Sequence, residues 1–155
     1  MTGSMLPLAG GCQCGAVRYR VTAWPRTLYC CHCSECQRQS SSAFGMSMRV
    51  DRAAVDVDWQ AMASRVRDAG KPNEVQGHFC RDCGVRILHD RPGDDTVTIK
   101  AGTLDDTSWL RPVGHIWTAS AQPWFNIPGG SLAYARQPEN YDALEAAWRA
   151  QSRSR

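Results

Sequence analysis

The eight cysteines constrain this chain more than any other feature, because they fall into three short groups. The groups are Cys12-Gln13-Cys14, Cys30-Cys31-His32-Cys33-Ser34-Glu35-Cys36 and Cys80-Arg81-Asp82-Cys83. The start, MTGSMLPLAGGC, lacks the basic and apolar segments of a signal peptide, so we expect a soluble protein of the cytoplasm. In a reducing compartment such cysteines favour metal binding over disulfides.

The first and third groups together predict a closed structural zinc site. Each is a short thiol pair followed by a glycine, Gly15 or Gly84, which allows the backbone conformation needed beside a metal ligand. Four thiolates, from Cys12, Cys14, Cys80 and Cys83, fill the tetrahedral coordination of a structural zinc. Buried free thiols or disulfides are the alternative.

The middle group predicts a second zinc site with an open position. Cys31, Cys33 and Cys36 converge if a short helix begins at Ser34, and three protein ligands with one vacancy are typical of a catalytic zinc. Cys30 or His32 could instead close the site. In an extended segment their side chains point away from Cys31 and Cys33, so we expect Cys30 to pack as a small hydrophobe. His32 is expected to face solvent or to lie next to the ligands.

The net charge of +3 counts these cysteines as neutral. Because zinc ligands are thiolates, a four-thiolate and a three-thiolate zinc site contribute −2 and −1 and bring the charge to about 0. With only two lysines and no basic stripe interleaved with aromatics, nucleic acid is not an expected partner. No apolar run approaches the ~20 residues of a membrane span.

The rest of the chain predicts a mainly β fold. Period-2 alternation indicates strands, and residues 68–73 read as a turn between two more. One helix opens at Pro138, with Leu144 and Trp148 at helical spacing. We expect one domain over 1–155, with a core of about 8–137 and a C-terminal helix of about 138–152. The predicted strands are 17–21, 44–50, 55–59, 74–80, 85–89, 96–101 and 113–118.

Five blocks in order make the chain resemble the glutathione-dependent formaldehyde-activating enzyme family, which also includes centromere protein V. The resemblance implies a tent-like arrangement of small antiparallel sheets around zinc. It implies a structural zinc on Cys12, Cys14, Cys80 and Cys83 and a catalytic zinc on Cys31, Cys33 and Cys36. The blocks are GGCQCGAVRY (10–19), CHCSECQRQSSSAFG (31–45), FCRDCGVRIL (79–88), AGTLDD (101–106) and HIWTASAQPW (115–124).

The activity that the resemblance implies is carbon–sulfur lyase chemistry: addition of glutathione to formaldehyde, giving S-(hydroxymethyl)glutathione, and the reverse cleavage. The chain departs from its relatives after the second cysteine group, where Gln37-Arg38-Gln39-Ser40 replaces a segment with paired arginines. Fewer cations there imply weaker binding of an anionic tripeptide.

Three residues are candidates for substrate contact. Arg38 could meet a carboxylate, His115 could move a proton, and Trp117 could line a pocket. Each also has a structural interpretation, as a solvated arginine, a core histidine and a core aromatic. Two functions compete with the enzyme: a glutathione or thiol carrier without turnover, and a zinc-stapled interaction module.

Overall fold

A computed structural model describes residues 6–153; the ends of the predicted domain, 1–5 and 154–155, lie outside the described residues. The prediction of a mainly β protein with antiparallel sheets and a C-terminal helix is confirmed. The elements are β1 (Leu8–Gly11), β2 (Arg18–Val21), β3 (Thr27–Cys31), α1 (Ser34–Ser40), β4 (Gly45–Asp51), β5 (Val55–Val57), β6 (Met62–Arg67), β7 (Val75–Cys80), β8 (Arg86–Asp90), β9 (Thr96–Lys100), β10 (Gly114–Ile116), β11 (Leu132–Tyr134) and α2 (Asp142–Arg153).

The strands form two sheets. A three-stranded antiparallel sheet has the order β1-β2-β5, and an eight-stranded sheet has the order β11-β10-β3-β4-β9-β8-β7-β6. β10 runs parallel to both β3 and β11, so one edge of the large sheet departs from the antiparallel arrangement. Within the large sheet, β3 ends at the middle cysteine group, and β7, four strands further across, ends at Cys80.

One face of the large sheet forms the core. Leu28, Met48, Ile99 and Leu88 lie opposite one another on β3, β4, β9 and β8, and none of the four has measurable exposure. Full burial of such a side chain stabilises a fold by about 1.5–3 kcal/mol. Because side chains alternate between faces along a strand, the residues on either side of this row point to the opposite face. That opposite face carries the site described below.

β3 is a strand that alternation does not predict. All five of its residues are buried, since β3 lies inside the sheet and both of its faces are covered. A strand covered on both faces has no exposed face to mark with polar residues, so its sequence shows a continuous run instead of a period of two.

The C-terminal helix begins later than predicted. α2 starts at Asp142 and not at Pro138; the side chain of Asn140 accepts a hydrogen bond from the Asp142 N–H at 3.0 Å, as a helix cap does. Leu144 and Trp148 pack into the core as the helical spacing predicts. Neither helix in residues 6–153 has the length and apolarity to cross a lipid bilayer.

Candidate metal centres and active-site cleft

The first and third cysteine groups meet in space as a four-cysteine cluster, formed by Cys12, Cys14, Cys80 and Cys83. Their Sγ atoms all lie within 4.8 Å of one another, although 66 residues separate Cys14 from Cys80. Gly15 and Gly84 have φ values of 82° and 77°, the left-handed region that glycine adopts without steric cost. The cluster could hold a metal ion, and four sulfur donors match tetrahedral zinc.

Backbone N–H groups favour thiolates in the four-cysteine cluster. Hydrogen bonds from the N–H groups of Val85 and Cys14 lower the pKa of the Cys83 thiol to about 6. The Val17 N–H donates to the Sγ of Cys12 at 3.2 Å. Since a thiol must lose its proton to bind a metal, these donors reduce the free energy needed to load the site.

The middle group forms a three-cysteine cluster of Cys31, Cys33 and Cys36. Cys31 ends β3, Cys33 caps α1, and Cys36 lies in its first turn, so the predicted turn into a helix at Ser34 brings the three Sγ atoms within 4.8 Å of one another. In residues 6–153, no fourth cysteine, histidine or carboxylate joins this group. The cluster could therefore bind a metal ion with three protein ligands.

Hydrogen bonds make Cys33 the most acidic thiol of the three-cysteine cluster. The thiols of Cys31 and Cys36, followed by the N–H groups of Cys36 and Glu35, lower the pKa of Cys33 to about 2. The pKa of Cys31 is raised because its own thiol is hydrogen-bonded to Cys33. Because a cysteine must be deprotonated to bind a metal, the low pKa of Cys33 favours metal binding at this cluster.

Cys30 and His32 lie outside the three-cysteine cluster. Cys30 is buried, and burial raises the pKa of its thiol to about 12, as expected for a cysteine packed as a small hydrophobe. The alternative of a solvent-facing His32 is wrong, because its side chain has no exposure and its Nε2 lies 2.9 Å from Nδ1 of His115. The ring of Phe125, with its centroid 5.2 Å from that of His32, helps to exclude water from this pair.

A cleft of about 960 Å³ opens on the non-core face of the large sheet, and all three clustered cysteines line it. Its floor follows the strand register. Across β4, β9, β8, β7 and β6, the residues that lie opposite one another are Arg49, Thr98, His89, Gly77 and Arg65. The cysteines therefore line a broad cleft that carries arginines and carboxylates, and not an isolated pocket.

Arg86 connects this charged surface to the three-cysteine cluster. Its Nη1 donates to Oε1 of Gln39 at 3.1 Å, and Nε2 of Gln39 donates to Sγ of Cys36 at 3.4 Å. Gly77 makes room for this arrangement, because a Cβ at Gly77 would overlap the guanidinium of Arg86. A residue without a side chain on β7 thus determines where a cation on β8 lies.

The segment before α2 builds one wall of the cleft. Nε1 of Trp117 donates to Oε1 of Gln137 at 3.2 Å, and Nε2 of Gln137 donates to the hydroxyl of Tyr141 at 2.8 Å. The Tyr29 hydroxyl donates to the same oxygen at 3.4 Å, and the guanidinium of Arg49 lies 4.0 Å from the centroid of the Tyr141 ring. The irregular chain at 135–141 carries these side chains to the cleft, and it includes residues 138–141, which the sequence predicts to be helical.

The three predicted substrate residues lie in different environments. Trp117 lines the cleft, and its backbone has a φ of 58°, which ends β10 earlier than the alternation predicts. Arg38 is 75% exposed and pairs with Glu35 at 3.2 Å. His115 is buried against His32, in register with Cys30 on the face away from Cys31. Neither Arg38 nor His115 is among the described residues that line the cleft.

Sequence reasoning missed the cations of the cleft. The prediction of few substrate-binding cations considered only the residues that follow Cys36 in the sequence. Four arginines reach the cleft from other elements, β4, β6 and β8: Arg49, Arg65, Arg67 and Arg86. Alternation within β6 puts Arg65 and Arg67 on one face, but that signal does not tell which face they share with the cysteines.

Fold and site together define a class: a mainly β protein with two cysteine clusters able to hold metal, one of them in a cleft. Residues 7–120 match the family model described as glutathione-dependent formaldehyde-activating enzyme. The chain belongs to this family.

Two individual proteins illustrate how far the similarity extends. A protein of Penicillium rubens named "Putative glutathione-dependent formaldehyde-activating enzyme" is 35% identical over 113 residues, which cover 67% of this chain and 58% of that protein. A crystal structure of a Rhodobacter sphaeroides protein covers 82% of this chain and 99% of its own, with 16% identity and a TM-score of 0.52. The second similarity concerns the fold alone. The matched family region ends before the wall of the cleft formed by Gln137 and Tyr141.

Proposed function

We propose that this protein is a zinc-dependent carbon–sulfur lyase that forms and cleaves S-(hydroxymethyl)glutathione or a closely related thiol–aldehyde adduct. One observation carries the proposal: three cysteines converge in a large cleft with no fourth protein ligand among residues 6–153. Three-ligand zinc sites leave a position for a substrate or water. The name of the matched family supports glutathione as the thiol and formaldehyde as the aldehyde.

The two clusters take different roles in this proposal. Cys12, Cys14, Cys80 and Cys83 hold a structural zinc, and Cys31, Cys33 and Cys36 hold a catalytic one. Sulfur donors in these numbers fit zinc, whose usual ligands include three or four thiolates. A zinc ion in the three-cysteine cluster would supply the charge that keeps a nearby thiol ionised at neutral pH.

The cleft surrounds this position with groups that suit an anionic thiol. Arg86 and Arg65 supply cations for carboxylates, and arginine binds a carboxylate through two parallel N–H groups. Trp117 and Tyr141 give an apolar and aromatic edge to the same cleft. These contacts orient the thiol towards the aldehyde, which lowers the entropic barrier of the addition.

The bond changes are simple. The thiol loses its proton to solvent, the sulfur attacks the carbonyl carbon of formaldehyde, a C–S bond forms, and the π electron pair moves to oxygen, which takes up a proton from solvent. In reverse, the hydroxyl loses its proton, the C–S bond breaks, and the sulfur leaves with the electron pair. No oxidant or reductant is needed.

The test compares Cys33, a member of the three-cysteine cluster, with Cys30, which lies three positions earlier on β3. We expect the zinc-loaded protein to accelerate the loss of formaldehyde and glutathione, followed by NMR of the hydroxymethyl adduct, and to bind two zinc ions. Cys33→Ala should lose the acceleration and one zinc while keeping its circular dichroism spectrum. The matched control Cys30→Ala removes a thiol that lies outside the cluster and should keep both.

Three other outcomes would contradict the proposal. Glutathione binding without acceleration would identify a thiol carrier. A single zinc per wild-type chain would remove the open site. Full activity in Cys33→Ala would place the chemistry elsewhere. We also propose that residues 1–155 form a single domain. We propose a cytoplasmic location, because a reducing compartment keeps cysteines free of disulfides and able to bind metal.

A further inference from the structure

Lys100 is half-buried, but its ammonium nitrogen is enclosed by the protein. It ends β9 opposite Ser47 of β4, and Ser47 is buried and lines the cleft. Residues that lie opposite each other on neighbouring strands share a face, so Lys100 belongs to the face that carries the three-cysteine cluster. Its ammonium nitrogen is buried and has no hydrogen-bond partner within residues 6–153.

The groups that attract this ammonium are the clustered cysteines. Burial has the largest effect on the pKa of Lys100 and lowers it, whereas the charges of Cys36, Cys31 and Cys33 act in the opposite direction. The neighbouring Arg86 guanidinium disfavours the ammonium. A buried ammonium without a partner is strongly unfavourable, because it has lost its hydration. Proteins keep such a group where an anion completes its environment.

The charge of the proposed site identifies that anion. A divalent ion with three thiolates has a charge of −1, and an added substrate thiolate brings it to −2. Such a charge within a partly buried cleft is costly without a nearby cation. Lys100 has the required sign, lies on the required face and has N–H donors that no described residue accepts.

We propose that Lys100 belongs to the three-cysteine site, where its ammonium offsets the charge of the thiolates and donates a hydrogen bond to the oxygen of the bound aldehyde. The inference rests on the proposed function of the cleft. As sulfur adds to the carbonyl carbon, negative charge develops on this oxygen, and a fixed donor stabilises that charge more than it stabilises the substrate. Lysine remains protonated throughout; the oxygen receives its proton from solvent after the C–S bond has formed.

The test uses Lys100→Met, Lys100→Arg and, as a matched control, Lys71→Met. Lys71 is the only other lysine, and its side chain is 67% exposed and pairs with Asp68. Three quantities are measured for each: the affinity of each zinc ion by chelator competition, kcat and KM for formaldehyde with glutathione, and the thermal stability of the metal-free chain.

We expect Lys100→Met to bind the second zinc about 10- to 100-fold more weakly, the range found when a partner of a metal ligand is lost. Its kcat should fall about 100-fold or more, as when one oxyanion donor is removed, with little change in KM. The first zinc should keep its affinity. Lys100→Arg should recover part of both losses, and Lys71→Met should behave as wild type.

If Lys100 acts at the site, methionine in place of this unpaired buried charge should leave the metal-free chain as stable as wild type or more stable. If Lys100 has a structural role, the variant should instead lose stability and keep its zinc affinity. Loss of stability with unchanged zinc affinity would overturn the proposal, and so would a kcat within twofold of wild type. If the wild type itself shows no turnover, the proposed function and the role of Lys100 towards the aldehyde both fail. The chelator competition still decides whether Lys100 supports the thiolates.

Discussion

The two cysteine clusters use similar residues for different ends. The four-cysteine cluster joins two tight turns from distant parts of the chain and has a complete set of donors. The three-cysteine cluster lies within six consecutive residues, lacks a fourth donor among residues 6–153, and lines a cleft of about 960 Å³. Metal binding at a cluster that connects distant segments stabilises the fold, whereas a local cluster with a vacant position can bind a ligand. The predictions below test this contrast.

The largest expected effect is on stability, at the four-cysteine cluster. Cys80→Ala leaves an incomplete set of donors at a contact between residues 66 apart in the chain. Structural zinc contributes about 10 kcal/mol or more of apparent binding free energy at pH 7, so we expect this variant to lose its cooperative thermal transition. Differential scanning calorimetry of Cys80→Ala and Cys36→Ala measures the unfolding transition of each variant and shows which cluster the fold depends on.

The control in that experiment is the second cluster. Cys36→Ala should keep a cooperative transition, because it removes the donor in α1 from a cluster that connects only neighbouring residues of the chain. If both variants unfold alike, or if Cys80→Ala stays fully folded, the assignment of structural and open sites would be reversed or lost.

A second, intermediate effect is expected in the cleft beside the open cluster. Gly77→Ala places a Cβ where the guanidinium of Arg86 lies, and we expect the arginine to move away from Gln39. The KM for glutathione should rise about 10-fold, equivalent to 1.4 kcal/mol, while the KM of a thiol without carboxylates stays constant.

Gly102→Ala is the matched glycine control, since a Cβ there meets no atom within 4 Å. Steady-state kinetics with both thiols distinguish lost carboxylate recognition from general damage, which would raise both KM values. An equal rise for both thiols would remove Arg86 from the substrate site.

The smallest effect concerns pH. Burial, followed by the charges of Lys100, Arg86, Arg91 and Arg67, holds the pKa of His89 well below its ordinary value. The unfolded chain therefore binds a proton near pH 6.5 that the folded chain does not, and stability falls as pH decreases below that value. One such histidine contributes a slope of at most about 1.4 kcal/mol per pH unit.

His89→Gln should reduce the loss of stability between pH 7 and pH 5.5 by about 1 kcal/mol. Urea unfolding of wild type and variant at both pH values, under the same zinc concentration, isolates this difference from the acid release of metal at either cluster. If the two proteins lose the same stability, the acid sensitivity lies with the thiolates and not with the charged floor of the cleft.

Much of this molecule could be predicted from the sequence, because the relevant patterns are local. The spacing of Cys31, Cys33 and Cys36 around a helix start, and glycines after Cys14 and Cys83, indicate both clusters without any structure. Alternation and turn residues together indicate most strands. They do not indicate β1, β11 or β3, the last of which is buried on both faces. The proline rule fails for α2, where the cap at Asn140 begins the helix instead.

The surroundings of the site depend on tertiary structure. Local spacing determined which residues can hold a metal, because a turn or the start of a helix brings sulfurs together whatever lies around them. Sheet register decided that Arg65 and Lys100 share a face with those sulfurs, and that His115 lies on the face away from Cys31. Arg86 reaches the cleft next to a register shift between β7 and β8, and Arg38 lies on the exposed side of α1. Register depends on contacts between strands far apart in the chain, and a one-residue slip would move every side chain of a strand to the other face.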